Sequence, residues 1–485
     1  MRHTARGPLA LATLVAAAAL LTAVPTSSAE PAAVTEVADR TDRRGAGDWA
    51  HVAPQAVYLS RPAMLRTADG VLHLVYTQAT ANGVRYEHAT ITAAGTVGTR
   101  TTVVPEWRRL ADPTALLPAP GGMRLVFAGA EDFREGHFFN SQRLFHALSD
   151  TTGAGWSLPE EALTKSTVPP YDGTAAVALP DGTPVSGYVR SDSNAVAWRS
   201  GTIPAAALAP GNTTPEDAVV PSGPCCPVDL TLARAGDEVW ATWAAYDGDT
   251  GTSRTVVRRI HPTLGPELHP PRAAESGGRD LVARPDGSVV LSYCRGVRGC
   301  RRLVLWDVGS RRAVEVPVRG GARRHDLHVT ASGRIWVAWI DDERAYAVRT
   351  RASGLGLEGV RSAGSPPDSW EMFRVKADGT NAFVDVVATT SQTLSHVRLL
   401  PGLVLTASPR RWDGDRARTV RFKVKAPGAG PARATVRAAG QQCRTDASGV
   451  CRIRVAPRRP GRVTATASSS KRGYQPVRLT LRARR

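Results

Sequence analysis

The sequence predicts an all-β protein, a seven-bladed β-propeller followed by a small antiparallel β-sandwich, and three observations lead to that expectation. One unit recurs seven times between residues 60 and 390: a short apolar stretch, a tight Gly turn, then alternating large and small apolar residues, as in RDLVARPDGSVVLSYC and HDLHVTASGRIWVAWI. The turn glycines fall at Gly70, Gly122, Gly182, Gly236, Gly287, Gly333 and Gly379, a period of 46 to 60 residues that suits a four-stranded blade. Beyond residue 400 the text changes to alternating strands such as VRFKVKA and CRIRVA, whose Arg and Lys residues mark one wet face.

Taken in order, Met1 to Ala29 combines a basic start (Arg2, His3, Arg6), an apolar run and a small-residue end, the layout of a secretory signal cleaved before Glu30. Glu30 to Gly47 is small, polar and aperiodic, hence a linker over residues 30–47. The propeller is expected over residues 48–400. In each unit a third strand follows, such as RRLVLWDVG, and in most a fourth, such as RRAVEVPVR. VWATW and IWVAW carry large residues on both faces, as strands squeezed between neighbouring blades must. The third unit is the least regular, because Pro184 interrupts its second strand. The last unit ends at LSHVRLL without a fourth strand. The segment DWAHVAPQAVY ahead of the first unit is expected to supply it, so that both ends of the ring share one blade and no sheet edge is left open. Residues 401–485 form the sandwich.

Charge is placed unevenly. From Pro401 to Arg485 there are 21 Lys and Arg against 3 Asp, whereas Glu30 to Leu400 holds 39 basic and 40 acidic residues. A near-neutral body with a cationic end points to an anionic polymer or cell-wall surface as partner, with compositional drift toward Arg as the bland alternative. After the leader no stretch approaches the ~20 apolar residues of a membrane span, and a secreted monomer is expected.

Six cysteines in an exported chain favour disulfides. Cys443 and Cys451 flank a turn, as if opposed across a hairpin, and Cys294 and Cys300 enclose a short loop in the same way. Cys225 and Cys226 either close on each other or pair with Cys294 and Cys300. No His or second CxxC lies at zinc spacing, so no metal site is expected. Asp247 to Gly251 and Asp341-Asp342-Glu343 have spaced carboxylates that can hold Ca²⁺, but neither completes an EF-hand loop and solvated turns are the expectation.

In a propeller, ligands bind where the inner strands begin, at the mouth of the central funnel. Asp229, Asp280 and Asp326 stand seven positions before their turn glycines in three successive units, and this recurrence points to structural carboxylates that tie strand ends to backbone N–H groups. The residues that depart from the repeat are Arg61, Asp112, Asp172, Arg279, Arg324, His325, Trp370 and Glu371. Guanidinium, carboxylate and indole together suit a sugar site: Arg61, Arg279, Arg324 and Trp370 as ligand-binding residues, and Asp112 with Asp172, or Asp326 with Glu371, as carboxylate pairs. His325 could act as the base of a uronate lyase.

The stretch SRPAMLRTADGVLHLVY (Ser60 to Tyr76) resembles the first blade of sialidases and related Asp-box propellers, and the resemblance gives Arg61 the role of gripping a substrate carboxylate. ALSDTTGAGWS is similar to an Asp box at Ser149, Asp150, Gly153 and Trp156, with the spacing off by one residue. The loop TQATANG lacks the general-acid carboxylate, and VDVVATTSQTLSHVRLL lacks the Tyr nucleophile, so sialidase activity is not expected. The tail resembles bacterial Ig-like modules through Thr445 to Gly449 and Gly473-Tyr474-Gln475-Pro476. The leading expectation is a non-catalytic envelope protein whose funnel binds a glycan or a protein partner while the tail holds an anionic surface. The second is a carbohydrate-active hydrolase or lyase.

Overall fold

The computed structural model of the chain describes residues 49–54, 61–107, 109–130, 143–164, 173–190, 195–204, 207, 217–221, 225–247, 252–271, 278–295, 300–318, 321–341, 344–352, 354–366, 372–390, 393–413, 416–426, 430–456, 461–469 and 477–484. The leader and linker expected over residues 1–47 lie outside the described residues.

The repeated turns form for a local reason. In four units a five-residue connection is closed by the same two backbone bonds, for example Arg284 N to Ser288 O and Gly287 N to Arg284 O, both 2.9 Å. The closing Gly has φ of 85° at Gly70 and Gly182, 84° at Gly287 and 76° at Gly333, which a side chain would strain. The Asp before it, at Asp69, Asp181 and Asp286, accepts the N–H two residues on through Oδ1. Two expected turn glycines differ. The left-handed residue of the second unit is Gly121, not Gly122. Gly379 ends a strand, Arg374–Gly379, and the turn follows at Thr380 to Phe383. A Cβ on Gly379 would lie 2.2 Å from the Trp336 ring, so close packing explains the glycine there.

Each turn starts a meander. The first sheet orders Ala63–Arg66, Leu72–Ala79, Val84–Ile91 and Val97–Trp107. The second contains Ala115–Ala119, Gly122–Ala130, Arg143–Asp150 and Trp156–Ser157, with Arg109–Leu110 also on Gly122–Ala130. The third is Thr174–Ala178, Pro184–Arg190, Ala195–Ser200 and Ala218–Pro221; Pro184 opens its strand, where a missing N–H costs no ladder bond. In the fourth, Cys225–Ala235, Glu238–Asp247 and Thr252–His261 pair, and among the described residues one bridge, Val257 with Leu268, stands at the place of an outer strand. The fifth is Arg279–Ala283, Val289–Arg295, Arg302–Asp307 and Ala313–Val316; the sixth is Arg324–Val329, Ile335–Ile340, Ala345–Arg349 and Arg361–Ala363. The last runs Arg374–Gly379, Val384–Thr389, Thr393–Leu399 and then Ala50–Pro54.

Burial shows how the sheets stand together. Every residue of Ile335–Ile340 and of Val384–Thr389 is buried, so both faces of these strands are covered. One apolar cluster joins the first and second sheets through Val75, Tyr86, Leu125 and Phe127, and comparable clusters join each following pair. A further cluster brings Val387 and Leu394 of the last sheet against Leu72, Leu74 and Tyr76 of the first. The inner strands touch in the same cyclic order, Ala63–Arg66 lying against both Ala115–Ala119 and Arg374–Gly379. The arrangement is propeller-like, and the amino-terminal strand closes it: Ala50 pairs with His396 and Pro54 with Thr393, antiparallel.

A buried charge network reinforces this closure. Arg66 bonds Asp378 and Asp385 at 2.6 Å each, while Arg398 reaches Asp385 at 2.8 Å and the Ala93 carbonyl at 2.6 Å. His396 Nε2 lies 2.8 Å from Asp385. Burial opposes ionisation of Asp385, but Arg398, His396 and Arg66 hold its carboxyl well below the usual range.

Residues 404–484 contribute two further sheets. Val404–Ser408, Arg418–Ala426, Gly430–Pro431 and Val450–Val455 form one; Arg411–Asp413, Val477–Arg484, Gly461–Ser469, Ala434–Ala438 and Gln441–Arg444 form the other. Val420, Phe422, Val424, Val436, Ile453, Ala465 and Leu481 share one core. The expected Cys443–Cys451 disulfide is present, but it joins two strands that belong to different sheets rather than the two arms of one paired hairpin. Cys294–Cys300 closes its loop, the alternative in which neither pairs with Cys225 or Cys226. The side chains of Cys225 and Cys226, the Gly473 to Pro476 segment and the side chains of the two carboxylate-bearing turns, apart from Asp341, lie outside what is described. Asp341 caps its own turn, accepting from Arg344 N and from the Tyr346 hydroxyl at 2.7 Å each. Among the described residues no helix is long and apolar enough to cross a membrane.

Candidate functional site

The seven inner strands surround a cavity of ≈ 720 Å³ that takes a side chain or backbone from each of them. Its chemistry follows from the register of those strands. Alternate residues of a strand face opposite ways, and at the mouth Arg61, Arg279, Arg324, Arg374 and Lys376 line the space together with Asp112, Asp229 and Asp280.

The carboxylates are largely spent on the fold. Asp280 accepts the Leu281 N–H through Oδ1 at 2.9 Å and the Leu327 N–H of the next sheet through Oδ2 at 2.7 Å. Asp326 repeats the tie, taking the Ala377 N–H at 2.9 Å, while its other oxygen receives Arg61 at 2.9 Å and Lys376 at 2.8 Å. The recurrence seen in the sequence is thus a structural device at these two positions. Asp229 departs from it. The ladder is irregular there, the residue has φ of 54°, and its carboxylate faces Arg279 at 3.4 Å instead.

Electrostatics separates the two ties. Burial, then the charge of Asp326, pushes the Asp280 carboxyl up to about 6. Burial also disfavours ionised Asp326, but Lys376 and Arg61 overcome it and hold that carboxyl below its ordinary value. His325 is buried and its Nε2 lies 2.8 Å from Ser292 Oγ. Burial pulls the ring down to about 3 even though Asp326 favours the cation, so the ring is neutral at physiological pH. An imidazole nitrogen of His325 and the sulfurs of Cys294 and Cys300 lie within 4.8 Å of one another, yet both sulfurs are used in the disulfide, and the trio offers no metal a thiolate.

The structure therefore brings Arg61, Asp112, Arg279, Arg324 and His325 to one cavity with Asp326 directly behind it, while Asp172, Trp370 and Glu371 lie outside the described residues. Arg61 is 39% exposed, with its guanidinium on Asp326. Arg279 is buried, and Arg324 is exposed. Sequence reasoning missed Lys376 and Arg374. Asp280 bonds the amide after Asp326, and Asp326 bonds the amide after Lys376, so Lys376 occupies the position that Asp fills in the two preceding units. Counting back from Gly379 hid this, because that glycine is not the turn residue.

No protein-family model matches the chain, and no curated protein matches it. Among solved structures, an ulvan lyase, a polysaccharide lyase bound to a glucuronate and sulfated rhamnose sugar, superposes with TM-score 0.46 at 12% identity over 74% of this chain and 96% of that one. A puromycin hydrolase aligns with TM-score 0.43 at 16% identity over 78% of this chain and 61% of that one. The β-propeller domain of the trilobed protease of Pyrococcus furiosus, which has an open velcro topology, aligns with TM-score 0.42 at 9% identity over 72% of this chain and 96% of that one.

Proposed function

We propose that the chain is an exported seven-bladed propeller, residues 48–400, followed by a basic Ig-like domain, residues 401–485, and that the propeller cavity binds an acidic glycan while the tail holds the protein on an anionic surface. The observation that carries this reading is the imbalance at the cavity mouth. Five cationic side chains line it against three carboxylates, Asp112, Asp229 and Asp280, and Asp280 and Asp326 are committed to inter-sheet N–H groups. A carboxylate or sulfate on a sugar ring is the group such a site complements. Calorimetric titration of the full chain with acidic and neutral oligosaccharides tests it. Binding of the acidic ligands should weaken about tenfold in Arg324→Gln or Arg374→Gln, as loss of one charge-assisted hydrogen bond predicts. Equal affinity for neutral sugars would remove the proposal.

A second reading, a carbohydrate-active enzyme, is favoured by one observation: burial and the charge of Asp326 raise the Asp280 carboxyl while Lys376 and Arg61 hold Asp326 below its ordinary value, which is how acid and base roles are divided between neighbouring carboxyls. Turnover of acidic polysaccharides that falls off as Asp280 loses its proton near pH 6, and is absent in Asp280→Asn, would establish it. Inactivity across uronate-containing and sulfated substrates would leave the binding role.

A further inference from the structure

One face of the carboxyl-terminal sheets carries a regular array of cations. Along Arg418–Ala426, Val420, Phe422 and Val424 enter the core, which turns Arg421, Lys423 and Lys425 to the opposite face; Ile453 and Val455 do the same for Arg452 and Arg454 on Val450–Val455. The register sets Arg452 opposite Arg421 and Arg454 opposite Thr419. Cations thus occupy four successive same-face rungs: Arg454, the Arg421 and Arg452 pair, Lys423, and Lys425. At two residues per rung the spacing is about 7 Å and the row about 20 Å long.

This row costs stability without a partner, since like charges directly opposite one another weaken a sheet. None of the five makes a salt bridge among the described residues, and a carboxylate that feels Arg421 is Asp446, in the adjoining turn. The other side chains that the register places on this face are Val404, Thr406, Ser408, Thr419 and Pro431, which are exposed, and Val450, which is buried.

We infer that this face binds a linear phosphodiester polymer built like poly(glycerol phosphate), laid along the strands with one phosphate per rung. The inference rests on the anchoring role proposed above for the tail and names its ligand. Two residues of extended chain span six backbone bonds, and a phosphodiester with a three-carbon spacer also repeats every six bonds, so its charges recur at about the same 7 Å. Nucleic acid shares that repeat, but its single strands are held by stacking on aromatic side chains, and among its described residues this face presents none. Polyuronates carry their charges on rigid rings that cannot adjust to the rungs.

The test titrates the full-length chain with poly(glycerol phosphate), polygalacturonate and oligo(dT). Poly(glycerol phosphate) should bind tightest, with log K falling against log salt at a slope of about −2.8 for four phosphates neutralised. Replacing Arg421, Lys423, Lys425, Arg452 and Arg454 by Gln should cost more than about tenfold in affinity and flatten the slope toward zero. The charge-matched control replaces Arg437, Arg444, Arg462, Arg478 and Arg482 of the other sheet by Gln, and should cost less than about threefold. Both variants must melt as the parent does; if the first does not fold, the single changes Lys423→Gln and Lys425→Gln, each the lone cation of its rung, take its place and should each lower the slope by about 0.7. Equal losses in the two variants, or tighter binding of oligo(dT) or polygalacturonate, overturn the inference while leaving an anionic anchor in place. Failure to bind any of the three polymers overturns both.

Discussion

Asp326 shows how a side chain that looks catalytic in a sequence is used up by the fold. It is 1% exposed and satisfies an amide of the next sheet, Arg61 and Lys376 together. Removing it strands two cations and an N–H in a buried place, so Asp326→Ala should destabilise by about 3–5 kcal/mol in urea unfolding. Three buried imidazoles give a second prediction. Burial lowers His88 and His146 to about 4 and His325 to about 3, so each is neutral in the fold and titrates near 6.5 when unfolded. A depressed folded value means that their contribution is complete above about 6.5 and is lost as pH falls through the folded values. Asp280 has the opposite sign, since its raised value favours the fold at low pH, but it is one group against three. Midpoints of thermal unfolding should therefore fall between pH 6.5 and 4, and His88→Gln should flatten part of that fall.

Among elements, the turns are what the sequence describes best. An Asp-Gly pair fixes an Asx bond and a left-handed glycine within five residues, so Gly70, Gly182 and Gly287 were legible from neighbours alone. Gly379 was misread because its reason is distant: the Trp336 ring of the preceding sheet occupies the place of a Cβ. The strand Thr393–Leu399 is held from two sides, by Ala50–Pro54 and by the Asp385 network. Asp385→Asn leaves Arg66 and Arg398 facing a neutral amide in a buried site, and should cost about 3–5 kcal/mol, whereas Asp69→Asn in an exposed turn should cost less than about 1 kcal/mol. Paired unfolding curves check the contrast. The Cys443–Cys451 bond, whose pairing was legible, staples two sheets that local spacing had placed in one hairpin.

At the scale of the molecule, the ring depends on pairing its two ends. Without Ala50–Pro54 the last sheet would present Thr393–Leu399 as an open edge, and open edges recruit other strands. A chain beginning at Gln55 should therefore elute as larger species in size exclusion and lose amide protection first in residues 393–399; a monodisperse monomer with unchanged exchange would show that the Asp385 network alone closes the ring. The same closure creates the cavity, since Arg61 reaches Asp326 across 265 positions of sequence only when first and last sheets meet.

By itself the sequence determined the all-β class, the repeat, the Asp-Gly turns, the supply of the closing strand and the Cys443–Cys451 pairing, because each is written in residues close together or in a period repeated along the chain. Tertiary structure decided which carboxylates are spent on inter-sheet amides, that Lys376 takes the place of an Asp, and that Cys443 and Cys451 bridge two sheets. Those outcomes depend on which strand lies next to which, and neighbours across a ring leave no spacing in the text.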